Sequence, residues 1–144
     1  PDRIIFYRGG TGEGDLPYLK ETEVSILKDR LRDYYTEKGR DLKLVYMVVT
    51  KKINTRFFLA NSDRHIEPGT VLDNTITLDE RYEFFMVSQQ INQGTATPTN
   101  YNVIYESEEF ALSPEKLQIW TWIQTHLYYN WCGTTRVPAV LQYA

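Results

Sequence analysis

The stretch that decides the fold is Leu44-Val45-Tyr46-Met47-Val48-Val49, an uninterrupted apolar run. Its content of β-branched and aromatic residues favours a β-strand. Because no polar residue interrupts the run, we expect both faces of this strand to be covered, as in a sheet flanked by helices. The run ends abruptly at Lys51-Lys52, so two cations directly follow a buried strand.

Further strands are predicted on both sides of this central one. Residues 3–7 form a short apolar run that stops at a glycine-rich loop, which cannot continue a strand. Residues 82–87 contain Phe84-Phe85-Met86-Val87, which we expect to be buried. Weaker extended patterns cover residues 56–59, 71–77 and 100–105, and residues 88–99 are predicted to form a loop.

Two segments have the periodicity of amphipathic helices. The first covers residues 19–35, and its expected inward positions are Val24, Leu27, Leu31 and Tyr34. The second opens at Ser113-Pro114-Glu115, which supplies a cap, a first-turn proline and an acid at the positive end of the helix dipole. It is predicted to end near Asn130, and its expected inward positions are Leu117, Trp120, Ile123 (or Trp122) and Leu127.

This order of elements predicts an α/β domain with a mixed sheet flanked by helices. We expect a largely parallel sheet as its core, with ligands collecting at the carboxyl ends of the strands. The glycine-rich loop, the lysine pair and the loop at residues 88–99 all fall at such strand ends.

Composition limits the possible classes of protein. The chain has 144 residues, one cysteine and a formal net charge of −3, with 42% hydrophobic residues. That apolar content excludes a disordered chain, and the length suits one domain. A single cysteine excludes an internal disulfide and favours a reducing compartment. We expect no membrane partner, because no apolar run approaches the roughly 20 residues of a membrane helix.

The segment at residues 51–65 is locally cationic although the whole chain is acidic. Its basic residues are Lys51, Lys52, Arg56 and Arg64. Asp63 is the only acid in this segment, and Asn54 and Thr55 add short hydrogen-bonding groups. A solvated turn is the simplest alternative. Because the cations follow a buried strand, the pattern favours an edge that contacts phosphates.

Other familiar kinds of site are not supported by the sequence. The glycine-rich loop lacks the Lys-Ser/Thr of a phosphate-binding P-loop, since Glu13-Gly14-Asp15 stands there instead. The two histidines, His65 and His126, have no second ligand at metal-binding spacing, so structural roles are favoured. Cys132 lies between Trp131 and Gly133 and is most simply a small packing residue.

Several segments, in order, resemble the PIWI domain of the Piwi/Argonaute family. They are residues 1–14 (PDRIIFYRGGTGEG), 51–58 (KKINTRFF), 68–73 (PGTVLD), 82–88 (YEFFMVS), 93–95 (QGT), 98–105 (PTNYNVIY) and 128–139 (YYNWCGTTRVPA). The last segment is more similar to the Piwi clade than to the Argonaute clade. The resemblance implies an RNase H-like fold, and it implies that residues 1–144 are the C-terminal portion of a PIWI domain, without its first strands and its extreme C-terminus.

The resemblance also concerns catalysis. Slicing members of the family cut RNA with Mg²⁺ held partly by an aspartate at the position that follows Arg8. Gly9 occupies that position here and offers no oxygen ligand, so we expect no bound metal and no slicer activity. Asp15 matches another family position and is a poor substitute. The alternative is an active metal-dependent endoribonuclease in which another acid replaces the missing carboxylate.

Family residues that line the guide-RNA channel can be carried over to this sequence. The positions implied to bind RNA are Lys51, Lys52, Thr55, Arg56, Gln93, Thr95, Tyr128 and Arg136. Asn130 and Arg136 differ from the residues that Argonautes carry there. The implied partners are a guide small RNA, a complementary target RNA and proteins of a silencing complex, in the cytoplasm or the nucleus. A second alternative is a protein-interaction platform, with Tyr34 and Tyr35 lining a pocket for tryptophan-containing peptides.

Overall fold

A computed structural model describes residues 1–60, 65–73, 82–91 and 94–142 of the chain. The strands are β1 (Ile4–Gly9), β2 (Leu44–Thr50), β3 (Thr70–Leu72), β4 (Glu83–Val87) and β5 (Thr99–Glu106). The helices are α1 (Leu16–Tyr18), a π-helical segment (Leu19–Val24), α2 (Ser25–Glu37) and α3 (Pro114–Gln124), with 3-10 turns at Glu13–Asp15, Glu108–Phe110 and Ala139–Leu141. No helix within the described residues is long and apolar enough to cross a membrane.

The described strands form one mixed sheet in the order β1-β2-β5-β4-β3. β1 and β2 are parallel, whereas β2 with β5, β5 with β4 and β4 with β3 are antiparallel. The expectation of a largely parallel sheet was therefore wrong. Parallel neighbours need a long crossover, usually a helix. The helical segment between β1 and β2 supplies one, while the described residues between β4 and β5 form no helix.

The central strand is covered on both faces, as its sequence predicts. Val45, Met47 and Val49 pack on one face in a cluster with Leu117 of α3. The alternate residues Tyr46 and Val48 pack on the other face against the π-helical segment. Residues from Leu44 to Val49 are at most 2% exposed, so this strand lies between two layers of helix.

The predicted helices are present, with different ends and inward positions. The first begins earlier and continues to Glu37, and it buries Val24 and Tyr35, while Tyr34 is 55% exposed. α3 begins after Ser113, whose Oγ accepts a hydrogen bond from the Lys116 N–H, which confirms the cap. It ends at Gln124 instead of near Asn130.

The inward face of α3 differs from the prediction. Leu117 is buried as expected and Trp122, the alternative to Ile123, packs against the core. The side chains of Trp120, Ile123 and Leu127, however, are 42–55% exposed. The buried positions are taken by Thr121 and Thr125. Among the weaker extended patterns, residues 56–59 supply only the isolated bridge between Phe57 and Ala96, and residues 74–77 lie outside the described residues.

Candidate nucleic-acid interface

One edge of the sheet gathers the ends of four strands. β1 and β2 run in the same direction, so Gly9 and Val49 are paired at their carboxyl ends. β5 starts at this edge, because Asn100 pairs with Thr50. β4 ends there too, because Met86 pairs with Thr99. Segments that are distant in sequence therefore meet at this edge.

Lys51 and Lys52 leave this edge directly after β2, and both side chains are exposed. They lie between two grooves and line both of them. The first groove, of about 780 Å³, also contains the glycine loop at residues 10–12, Thr55 and Glu83. The second groove, of about 700 Å³, also contains Tyr128, Trp131 and Arg136. Within the described residues, neither ammonium group forms a hydrogen bond or an ion pair.

The loop after the lysine pair is held in shape by Arg56 and Phe57. The Arg56 Nη1 donates hydrogen bonds to the carbonyl oxygens of Ile53 at 3.0 Å and Thr55 at 2.9 Å, while the side chain stays exposed. Phe57 is buried, and its ring meets Phe85 edge-on with the ring centroids 6.1 Å apart. This aromatic anchor fixes the cationic loop to the sheet.

Arg136 lies beneath the lysine pair. Its Nη2 donates to the carbonyl oxygens of Lys51 and, at 3.2 Å, Pro98. The Arg136 carbonyl oxygen accepts hydrogen bonds from the Ser88 hydroxyl at 2.9 Å and the Thr99 hydroxyl at 3.0 Å. Burial lowers the pKa of Arg136, and the charge of Arg56 adds to that decrease. This guanidinium therefore connects backbone segments under the cationic surface.

The remaining predicted RNA-binding residues are distributed unevenly. Tyr128 is half-buried in the second groove. Thr95 is exposed, next to Gly94, whose φ of +86° favours glycine. Gln93 and Arg64 lie outside the described residues. Roles in RNA binding remain predictions for all of these positions.

Comparisons with known proteins identify the family of this chain. The sequence profile of the Piwi domain matches residues 1–144. The chain belongs to the Piwi family. It is 52% identical to the protein Piwi of Drosophila melanogaster and 47% identical to Aubergine of the same organism, in each case over the whole chain. These matches cover 17% and 16% of the two relatives, so the chain spans about a sixth of their length.

Solved structures agree with this assignment. The chain superimposes on a crystal structure of Drosophila Piwi with a TM-score of 0.89 over 100% of this chain and 20% of that one. The C-terminal lobe of a budding yeast Argonaute gives a TM-score of 0.85 at 23% identity, covering 100% of this chain and 31% of that one. The mixed sheet flanked by helices is thus the RNase H-like fold of Piwi and Argonaute proteins.

Gly9 of this Piwi domain is the last residue of β1. A side chain at Gly9 would meet only Leu141, whose Cδ2 would lie 3.7 Å from the added Cβ. Within the described residues there is no group of three or more His, Cys, Asp or Glu placed to hold a metal ion. Gly9 itself has no side-chain oxygen that could contact a metal ion. Asp15 is exposed in the 3-10 turn that follows the glycine loop.

Sequence reasoning missed Trp131 as a candidate site residue of the Piwi domain. Its side chain is 58% exposed and lines the second groove beside the lysine pair. The available signal was a large aromatic residue in an aperiodic segment rich in polar residues. The neighbouring Cys132 is exposed, so the expectation that it is a packing residue was wrong.

The structure also locates His126, for which a structural role was expected, and the tyrosine pair Tyr34 and Tyr35, for which a protein-interaction role was considered. His126 Nδ1 lies 3.0 Å from the carbonyl oxygen of Trp122, and its ring meets the Trp122 ring edge-on, which fits the structural role expected of it. Tyr35 is buried and donates from its hydroxyl to the Pro1 carbonyl oxygen at 2.7 Å. Tyr34 and Tyr35 both line a pocket of about 300 Å³ at this place, and its role in binding peptides remains a prediction.

Proposed function

We propose that this Piwi domain binds the phosphate backbone of a guide small RNA in RNA silencing. The proposal rests on the exposed pair Lys51 and Lys52. These residues lie between two grooves, at the edge where β1, β2 and β4 end and β5 begins. Cationic side chains that face phosphates give affinity without reading the base sequence. Sequence choice then comes from pairing between the guide and a complementary target RNA.

The shape of the edge supports this proposal. Arg136 fixes the backbone of Lys51, and Phe57 anchors the loop that follows. The lysine side chains therefore project from a rigid base, and less conformational entropy is lost when they contact a strand of RNA. A solved Argonaute of Kluyveromyces polysporus with the same fold holds a guide RNA and matches this chain at a TM-score of 0.81.

Replacing both lysines tests guide binding. In the full-length protein that carries this chain, we expect Lys51→Ala with Lys52→Ala to weaken retention of a single-stranded guide. Each lost phosphate contact removes about 0.7 from the slope of log affinity against log salt concentration. The double variant should therefore flatten that slope by about 1.4, measured by fluorescence anisotropy with labelled RNA at several salt concentrations.

The matched control removes the same charge elsewhere. Lys20 and Lys38 are exposed and line neither groove. Lys20→Ala with Lys38→Ala should leave the salt slope at the wild-type value. If the two double variants change the slope equally, the effect is one of net charge and the proposed interface is wrong.

We further propose that the protein does not cut RNA by the family's metal-dependent mechanism, because Gly9 cannot supply a carboxylate. Two-metal hydrolysis needs anionic oxygen ligands at fixed positions. The alternative of an active endoribonuclease requires a substitute acid, and Glu13 and Asp15 are the first acids that follow β1 along the chain.

Restoring the carboxylate tests this second proposal. The space around Gly9 accepts a side chain, since an added Cβ would make only ordinary van der Waals contact with Leu141. In a guided-cleavage assay with Mg²⁺, we expect no product from the wild-type protein and cleavage by Gly9→Asp. Gly9→Asn has the same shape without the charge and should remain inactive.

Two outcomes would contradict the explanation. Cleavage by the wild-type protein would show that another acid serves, and loss of that activity in Asp15→Asn would identify it. Failure of both the wild type and Gly9→Asp to cut, with guide binding intact, would show that Gly9 is not the cause of inactivity.

A further inference from the structure

Trp131 exposes a large aromatic surface in the second groove. Its side chain is 58% exposed, although tryptophan is among the most apolar residues. The groove has a volume of about 700 Å³, and its described lining includes Lys51, Lys52 and Arg136 and no acidic residue. Exposed aromatic surface within a polar, cationic groove indicates a binding site rather than a solvated turn.

The orientation of the indole is fixed by its own segment. The backbone N–H of Trp131 donates to the carbonyl oxygen of Tyr128 at 3.2 Å, closing a turn. The ring then lies directly against Gly133, where an added Cβ would stand only 2.8 Å from Nε1. The backbone of Gly133 lies outside the left-handed region. A methyl group at position 133 would therefore displace the indole from its place.

A fixed aromatic ring beside cations is the combination that binds single-stranded nucleic acid. Every base has a face that stacks on an aromatic side chain, so such a contact tolerates any sequence. The neighbouring ammonium groups of Lys51 and Lys52 neutralise the phosphates of the same strand. A base-paired duplex offers no free base face along its length, so the ligand must present an unpaired nucleotide.

We propose that the indole of Trp131 stacks on an unpaired base of the RNA strand whose phosphates face Lys51 and Lys52. This inference rests on the proposed function, because it needs a guide strand in the second groove. It adds a contact that depends on the base ring and is insensitive to salt. The phosphate contacts of the lysines have the opposite properties.

Substitution of the ring, and of the glycine that positions it, tests the proposal in the full-length protein. Trp131→Ala should weaken binding of a single-stranded guide by about tenfold without changing the salt slope. Trp131→Phe keeps a stacking surface and should lose less. Gly133→Ala should weaken binding as well, although the indole is still present, because the added methyl group displaces it. Trp120→Ala is the matched control, since Trp120 is 46% exposed on α3 and lines a different cavity.

Guides with one abasic nucleotide identify the partner base directly. As the abasic position is moved along the guide, one position should weaken binding to the wild-type protein and have no further effect on Trp131→Ala. If every position weakens both proteins equally, the stacking contact does not exist. If Trp131→Ala lowers the thermal unfolding temperature but leaves guide affinity unchanged, Trp131 serves packing and the inference is overturned.

The two proposals fail in different ways. Loss of affinity in the lysine variant with no loss in Trp131→Ala or Gly133→Ala would contradict only the stacking contact. An unchanged salt slope in the lysine variant would contradict the guide-binding interface itself.

Discussion

Arg8, Glu23 and Tyr46 form a charged network that joins β1, the π-helical segment and β2. The Arg8 Nε and Nη2 donate to the two carboxylate oxygens of Glu23 at 3.1 and 3.3 Å. The hydroxyl of Tyr46 donates to Glu23 Oε2 at 2.8 Å. The hydrogen bonds from Arg8 and then from Tyr46 lower the pKa of Glu23. One carboxylate therefore connects two strands to the helix that covers them.

Neutralising this carboxylate should make stability less dependent on acid pH. A depressed native pKa stabilises the fold above the unfolded pKa of about 4.3, and that contribution is lost as the pH falls through the native pKa. Glu23→Gln should lower the free energy of unfolding by about 0.5–1 kcal/mol at pH 7, a small value because both side chains are more than a third exposed. The difference from wild type should shrink below about pH 4.

Urea titrations at pH 7 and pH 3 measure both quantities. Glu21→Gln is the control, because Glu21 is exposed on the same segment and forms no ion pair within the described part of the chain. A difference for Glu23→Gln that is equally large at pH 3 would show that the network stabilises through shape and hydrogen bonding instead of charge.

The strands that were predicted most accurately are those whose sequences are compatible only with burial on both faces. β2 and β4 are apolar runs without a polar interruption, and such runs can be solvated on neither face. The start of α3 was equally well defined, because Ser113 and Pro114 supply the cap and the fixed φ of a first turn. These signals are local, so no knowledge of the packing partner is needed to interpret them.

The inward face of α3 was predicted only in part, because hydrogen bonds as well as hydrophobicity decide it. Thr121 is fully buried with its hydroxyl 3.0 Å from the hydroxyl of Tyr7. Thr125 is also buried, and it donates to the Trp122 carbonyl oxygen at 2.7 Å. A buried hydroxyl with a partner is tolerated in a core. The partners come from β1 and from within the helix, which periodicity alone does not reveal.

The direction of the strands was the second feature that could not be predicted from the sequence. The apolar pattern of a strand indicates burial and carries no information on the direction of its neighbours. The helical crossover from β1 to β2 made one pair parallel, and the remaining pairs are antiparallel. The candidate interface was still located correctly on the sheet, because antiparallel β5 begins where parallel β1 and β2 end.

The candidate interface exists only in the folded chain, and its parts come from three distant segments. Lys51 follows β2, Pro98 precedes β5, and Arg136 belongs to the segment after α3. The resemblance to the Piwi/Argonaute family implied that Arg136 touches RNA. In the fold its guanidinium donates to the carbonyl oxygens of the other two residues. An arginine that binds carbonyl groups positions a surface, whereas one that binds phosphates contributes charge to it.

These two roles predict different results for Arg136→Met, which keeps an apolar stem and removes every donor. Lys51 and Pro98 would each lose a hydrogen bond to a charged group, so we expect the free energy of unfolding to fall by about 1.5–3 kcal/mol. Guide affinity should also fall, because the backbone of Lys51 is no longer fixed. The salt slope should stay at the wild-type value, since no phosphate contact is lost. Anisotropy titrations at several salt concentrations give this slope.

Combining the substitutions separates position from charge. If Arg136 acts through Lys51, then Arg136→Met should weaken guide binding much less in the Lys51→Ala, Lys52→Ala background than in the wild type, because residues that act through one another are not additive. A slope flattened by about 0.7 in the single variant would instead mean that Arg136 itself faces a phosphate. In that case the effects of the three substitutions should simply add, and the hydrogen bond to Lys51 would be a contact that the bound strand replaces.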